Sequence, residues 1–259
     1  CYYPMAIRKI RISVERVVTN RAGNPREVYV SYNKYYNINL LNIIMKYLID
    51  CGAHYGDVIA NFLQTEEYKK NSKFYRIFAL ECDPDNLKIL QAKFGKNPKV
   101  EIIPQAVWIE DKVLDFYQSK QKESKSFSQG SSLMKEKNTG DLEKDYPVKV
   151  NAIDFVAFLK KKFKSDDELL IKMDIEGAEY QVLDHMLKNN IFKDRFISWF
   201  FLEFHNAKVN VPISRDVELS KQIESLGIPL MVETKDKKLK KLKTWNKMLQ
   251  HKRSFPKVK

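Results

Sequence analysis

The sequence predicts an α/β fold, a mostly parallel, doubly wound sheet with an N-terminal β-hairpin extension, and three observations predict it. Short apolar runs alternate with segments of helical spacing from about residue 44 onward, the pattern of βαβ units whose strands are covered on both faces. Several of these runs end in carboxylates or glycine-bearing turns, and ligands of such sheets sit beyond the carboxyl ends of the strands. Ahead of them lie two period-two runs around a turn-forming segment, which reads as a hairpin.

The elements follow in chain order. Ile7–Val18 and Glu27–Tyr32 alternate around Asn20-Arg21-Ala22-Gly23-Asn24-Pro25, giving an extension over residues 1–39. The main domain, residues 40–234, opens with a short strand at Ile44–Asp50, a helix from Asp57–Leu63 and a second strand at Phe74–Glu81. Asp85–Phe94 is helical by the spacing of Leu87, Leu90 and Phe94. Val100–Val107 is a third strand, Leu169–Asp174 a fourth and Phe196–Glu203 a fifth, with helices at Ile153–Phe163, Glu179–Asn189 and Arg215–Leu226. Gln118–Tyr146 is polar and lacks an apolar period; a segment of that length is a loop without fixed structure or a lid over a site, assigned to 118–147.

Composition narrows the function classes. At 259 residues and 44% hydrophobic, the chain can bury one substantial core. The densest apolar stretches, Leu40–Ile49 and Phe196–Phe204, are too short to span a membrane, so no transmembrane segment is expected. The start, Cys1-Tyr2-Tyr3-Pro4, lacks an initiator Met and a signal pattern and reads as a processed product or a piece of a longer chain. Three cysteines, Cys1, Cys51 and Cys82, cannot all pair, and reduced thiols in an intracellular, cytoplasmic protein are expected. Residues 235–259 hold eleven Lys and Arg against one Asp, which accounts for +10 of the net +13 and leaves +3 for the other 234 positions. The basic excess therefore belongs to a C-terminal tail, a solvated charge run or a contact for nucleic acid or anionic lipid.

Three segments carry chemistry. Asp50-Cys51-Gly52-Ala53-His54-Tyr55-Gly56-Asp57 follows a strand and opens a helix. Gly52 lets the backbone turn, and Gly56 permits close approach of a cofactor or of the helix. His54 and Asp57 stand where a dinucleotide fingerprint needs glycines, so the turn suits a ligand without phosphate. The methionine portion of S-adenosylmethionine is such a ligand, its ammonium facing a carboxylate such as Asp50. Glu81, beside Cys82, closes the second strand; there a carboxylate can accept both ribose hydroxyls in bidentate fashion, or merely favour the next helix, which Asp83 before Pro84 caps. In Lys172-Met173-Asp174-Ile175-Glu176-Gly177-Ala178-Glu179 three acidic groups gather at one strand end. Like charges that close need a compensating cation, and Lys172 is one candidate. The cluster holds substrate hydroxyls or a divalent metal, or simply caps a helix.

In this set of motifs the chain resembles the FkbM family of S-adenosylmethionine-dependent methyltransferases over roughly residues 44–205. The resemblance rests on Asp50-Cys51-Gly52-Ala53-His54-Tyr55-Gly56, where the family usually has Asn in place of His54, and on Glu81 with Pro84, Gln105-Ala106-Val107 and Ser131-Ser132. Asn151-Ala152-Ile153-Asp154 is similar to the family's Thr-Ile-Asp-type turn, Lys172-x-Asp174-x-Glu176-Gly177-x-Glu179 to its most recognisable signature, and Glu203-Phe204-His205 to its polar fifth-strand end.

The resemblance implies a Rossmann-like class I methyltransferase fold and methyl transfer from S-adenosylmethionine to a hydroxyl oxygen of a sugar or glycan. Asp50, Gly52, His54, Gly56, Glu81, Cys82, Ala106 and Asp174 would then bind the cofactor, and Ser131 and Ser132 the acceptor. Asp174 is the first candidate for general base or for ligand of a divalent metal, with Glu176, Glu179 and Lys172 supporting and His205 as an alternative base. The competing reading is a nucleic-acid methyltransferase, acting on RNA ribose or cap, or an RNA-binding module using the basic tail; Trp245 and Phe255 are the only aromatic residues among its lysines.

Overall fold

The structure is a computed structural model that describes residues 13–19, 25–31, 44–120 and 130–233. Its backbone divides into two units, residues 1–43 and 44–259. In the first, β1 (Ser13–Thr19) and β2 (Pro25–Ser31) pair antiparallel in the register Ser13↔Ser31 to Thr19↔Pro25, the expected hairpin. The basic segment 235–259 and residues 121–129 of the polar stretch lie outside the described residues.

The second unit is an α/β domain around a six-stranded parallel sheet. Its strands are β3 (Lys46–Cys51), β4 (Tyr75–Leu80), β5 (Val100–Ile103), β9 (Glu168–Met173), β10 (Ile197–Glu203) and β11 (Leu230–Glu233), in the order β11-β10-β9-β3-β4-β5. From β3 the chain winds outward through α1 (Asp57–Leu63), α2 (Glu66–Asn71), β4 and α3 (Pro84–Phe94) to β5. It then crosses back to β9 and winds the other way through α5 (Glu179–Lys188), α6 (Ile191–Asp194), β10 and α7 (Ile213–Ser225) to β11. The winding reverses between β3 and β9, where the strand ends diverge and open a crevice.

Both faces of the sheet are dry. In β3, Leu48 packs with Ile59 and Phe62 of α1 and Leu90 of α3, while Ile49 and Cys51 pack on the opposite side with Leu159 of α4 (Phe155–Lys162) and Leu183 of α5. This explains why β3 and β9 read as continuous apolar runs. Local chemistry sets the helix starts. Asp83 accepts the Asp85 N–H at 2.9 Å ahead of Pro84, Thr65 accepts from Tyr68 at 3.1 Å, and Asp154 accepts from Ala157 at 3.0 Å.

The expected third strand, Val100–Val107, is two strands in two sheets. Pro104 has no N–H for the ladder, and Gln105 N–H turns back onto Ile103 O at 2.9 Å. The chain leaves the main sheet there and enters a smaller one of β6 (Ala106–Trp108), β8 (Val148–Asp154) and β7 (Lys112–Phe116), with β7 antiparallel to β8. Asn151-Ala152-Ile153-Asp154, expected as a turn, is the end of β8, and only Asp154 turns into α4. The described flanks of the polar segment are folded against each other: Tyr117 and Ser132 exchange backbone hydrogen bonds at 2.8 and 3.0 Å, and Ser119 bridges to Leu142. No helix among the described residues is long and apolar enough to cross a membrane.

Candidate active site

The crevice at the reversal point is a cleft of about 380 Å³. It is lined by the turns after β3, β4, β9 and β10, the start of β6, and Gly130, Ser131 and Leu133 of the polar segment. Of the residues expected to bind a cofactor, it brings together Gly52, His54, Glu81, Cys82, Ala106 and Asp174. Lys172, Glu176 and Ser131 also line it, whereas Asp50, Gly56, Ser132, Glu179 and His205 do not.

One end of the cleft is organised by backbone amides. After β3 the chain turns at Gly52, with φ 77°, and a Cβ there would collide with the Asp174 carbonyl oxygen. The N–H groups of Gly52 and Ala53 both donate to Leu80 O at 3.0 Å, tying this turn to the tip of β4. His54 follows at φ 53°, in the left-handed region where Asn and His are both enriched; the departure from Asn at this position therefore keeps the turn. Its N–H donates to Glu81 Oε2 at 2.7 Å, while Oε1 accepts from Cys82 N–H at 2.9 Å and Asp83 N–H at 2.8 Å. Three of the carboxylate's roughly four acceptor sites are thus taken, and the spare capacity lies on Oε2. A ribose held as the sequence suggests would have that one acceptor site to use. Burial pushes the Glu81 carboxyl up to about 7, against the opposing pull of the Asp83 and His54 amides.

Two residues of the first turn serve the fold. Gly56, with φ 82°, is approached by the Phe94 ring and Leu90 of α3; the close neighbour is the helix. Asp50 is fully buried, and both its oxygens lack a hydrogen bond. The ammonium it faces belongs to Lys172, at 3.4 Å, and burial raises the Asp50 carboxyl above its usual range while Lys172 pulls it down. As the next-to-last residue of β3 it shares a face with Leu48 and is not among the residues that line the cleft.

The other end is a charge network. Lys172 stands 3.3 Å from Asp174 Oδ2 and donates to Gly52 O at 2.8 Å. Burial disfavours its ammonium, but Asp174 and Asp50 outweigh that and raise its pKa. Glu176, at φ 57°, directs Oε2 toward Lys137 Nζ at 2.7 Å, Lys208 Nζ at 3.2 Å and His205 Nε2 at 3.4 Å. Burial alone would raise its carboxyl; His205, Lys137 and Lys208 reverse the sign and hold it at about 2. Ser132 sits under this turn, donating Oγ–H to Glu176 O at 2.7 Å. Glu179, fully buried, is a clamp: Oε1 accepts from Ile175 N–H at 2.8 Å and meets His205 Nδ1 at 2.9 Å, and Oε2 accepts from Gly177 N–H at 2.9 Å. His205, 2% exposed, has its Nε2 without a hydrogen bond, 3.6 Å from Asp174 Oδ1 and 3.6 Å from Glu203 Oε1. Burial lowers its pKa, and the bond to Glu179 with the charges of Glu179, Glu176 and Asp174 raises it overall.

Sequence reasoning missed Lys137 and Lys208, which carry the charge balance of Glu176, and Asn86, which lines the cleft with a buried Oδ1 that makes no hydrogen bond. Lys137 stands among other lysines and Lys208 alone in a stretch of apolar and amide residues, with nothing to single either out, and Asn86 is one of several polar residues in a helix's first turn.

A family model for the methyltransferase FkbM domain matches residues 50–223. A crystal structure of methyltransferase FkbM from Methylobacillus flagellatus KT is similar at 16% sequence identity and a TM-score of 0.40, over 74% of this chain and 40% of that one. The chain thus spans well under half the length of that protein. No curated protein matches the chain.

Proposed function

Because the chain belongs to the FkbM methyltransferase family, we propose that it transfers a methyl group from S-adenosylmethionine to a hydroxyl oxygen of a sugar or glycan. The observation that carries this reading is the division of one cleft between an uncharged backbone cradle around Glu81 and a carboxylate-rich end formed by Asp174, Glu176 and Glu203.

The residues present fit the cofactor. Gly52, His54 and Glu81 offer a turn without a phosphate cradle and one spare carboxylate acceptor for a ribose hydroxyl. Bound there, S-adenosylmethionine supplies an electrophilic methyl on a sulfonium. At the other end, carboxylates accept hydrogen bonds from hydroxyl donors and repel anionic groups, which favours a neutral polyol over a phosphodiester. A hydroxyl is a weak nucleophile, so a positioned base helps. Asp174 would accept the proton of the acceptor hydroxyl, whose oxygen would take the methyl group while the sulfonium sulfur keeps the electron pair. Lys172 holds Asp174 in place through Oδ2, and Oδ1 faces His205 Nε2.

The test is transfer of labelled methyl from S-adenosylmethionine to a panel of neutral mono- and oligosaccharides beside a short RNA, with NMR assignment of the product. A methyl ether on a sugar carbon of the saccharide is the expected outcome. Methylation of the RNA, or of an amine or carboxylate, overturns the assignment.

A further inference from the structure

We propose that Asp174, Glu203 and His205 form a binding site for one divalent cation of the Mn²⁺ class at the carboxylate-rich end of the cleft. One ligand atom of each of Asp174, Glu203 and His205 lies within 4.8 Å of the other two, and His205 Nε2 is 3.6 Å from Asp174 Oδ1 and from Glu203 Oε1. His205 identifies the centre. Its Nδ1 is 2.9 Å from Glu179 Oε1, in a carboxylate that also accepts from two backbone N–H groups. An acceptor-only partner takes the Nδ1 proton and leaves Nε2 for a second partner. Nε2 is buried, makes no hydrogen bond, and faces the oxygens of Asp174 and Glu203 at 3.6 Å each. Carboxylates converging on Nε2 demand positive charge between them, and a divalent cation would take the place of the Nε2 proton and be coordinated by all three groups.

The surroundings match that reading. A histidine whose second nitrogen donates to a carboxylate is the usual outer-shell arrangement around a protein-bound metal. Glu176 Oε2 is also near, at 3.4 Å, but Lys137 and Lys208 already neutralise it. Ligands about 2.1 Å from a metal in octahedral geometry stand roughly 3.0 Å apart on each edge, so the two 3.6 Å distances from His205 to the carboxylates would shorten by about half an ångström. Asp174 and Glu203 are partly exposed at the cleft. One imidazole with two carboxylates suits a borderline-hard first-row divalent ion, with coordination positions left for water and an incoming hydroxyl. A role in acidifying that hydroxyl rests on the function proposed above; the binding itself does not.

Mn²⁺ alone is the probe. It is titrated into the chelator-treated chain and followed by the EPR signal of free Mn²⁺ and by calorimetry, with S-adenosylhomocysteine binding measured in parallel on every variant. One ion per chain is expected, with Glu203→Gln and Asp174→Asn each weakening it at least tenfold and His205→Gln abolishing it, while S-adenosylhomocysteine binds Glu203→Gln as it binds the parent. Should His205→Gln fail to fold, the two carboxylate variants decide. Absence of stoichiometric Mn²⁺ binding, or binding unchanged in both carboxylate variants, overturns the site. Failure of S-adenosylhomocysteine to bind the parent chain, with Mn²⁺ still held, would instead strike the cofactor reading and leave the metal site standing.

Discussion

The two ends of the cleft are built on opposite principles. Around Glu81, one carboxylate is fixed by three backbone N–H groups, and its neighbours Gly52, Ala53 and Ala106 are small and uncharged. Around Asp174, geometry is set by side chains holding side chains: Lys172 between Asp50 and Asp174, Glu179 behind His205, and Lys137 with Lys208 on Glu176. A backbone cradle is indifferent to most substitutions and presents a fixed acceptor to an invariant ligand. A compensated charge network is sensitive to the loss of any member, since each departure leaves a buried partner unmatched. The first suits a cofactor that is always the same; the second suits chemistry, where charge develops and proton acceptors must be aligned.

That contrast predicts a separation of kinetic effects. Asp174→Asn keeps the side-chain shape and removes the charge, so turnover should fall on the order of 10²-fold or more, with the dissociation constant of S-adenosylhomocysteine unchanged within error. Steady-state kinetics beside calorimetry read both. Loss of cofactor binding without loss of saturated turnover would erase the distinction between the two ends. Glu81→Ala is the converse. Losing a charge-assisted hydrogen bond to a ribose hydroxyl should cost about 1.5–3 kcal/mol of cofactor affinity and leave turnover at saturating cofactor close to the parent's. Parental affinity in Glu81→Ala would remove Glu81 from the cofactor's contacts.

The two ends also differed in how far the sequence foretold them. The tips of β3 and β4 were legible because Gly52, Glu81 and the Asp83-Pro84 cap are local signals, each fixed by a few neighbouring residues. The six parallel strands of the main sheet, apart from the edge strand β11, were legible for the same reason, as buried runs separated by helical spacing. What escaped depends on contacts distant in sequence. Lys137 reaches Glu176 across 39 positions and Lys208 across 32, and neither separation leaves a periodic trace. Asp50 was assigned to the cleft because its place at a strand end was visible while the face it points to was not. The smaller sheet was hidden because β6 has only three residues and follows Pro104 directly, so its apolar run merged with that of β5.

The tolerance of the cradle ends at the glycine that packs its turn against α3. At Gly56, φ is 82° and a methyl would meet the ring of Phe94 and Leu90. Gly56→Ala combines left-handed strain with overpacking and should lower stability by roughly 1–3 kcal/mol. A lysine-to-alanine change at the exposed Lys88 of α3, which pairs with Asp85 one turn earlier, should stay within about 0.5 kcal/mol. Denaturant unfolding of the two variants gives the comparison, and equal stabilities would mean that α3 is free to shift away from the turn.

The smallest effect concerns pH and belongs to the cradle alone. The Glu81 carboxyl is held at about 7 in the folded chain, above its ordinary 4.5, chiefly by burial, with backbone N–H groups of Asp83, His54 and Cys82 pulling the other way and the Asp83 charge adding to the rise. A raised folded pKa means that the folded chain binds the extra proton, so this group's contribution to the stability of the cofactor-free chain is complete below about 4.5 and is lost as pH climbs through about 7. Cofactor affinity runs in the opposite direction. A ribose hydroxyl needs the free acceptor of the ionised carboxylate, so binding of S-adenosylhomocysteine should tighten about tenfold between pH 6 and pH 8 and level off above. Glu81→Gln removes the titration and should bind weakly with no pH slope over that range. Calorimetry at pH 6, 7 and 8 on both proteins reads the difference. A slope that persists in Glu81→Gln would move the titrating group elsewhere, and parental affinity that is flat from pH 6 to pH 8 would show that the hydroxyl is held without the ionised form of Glu81.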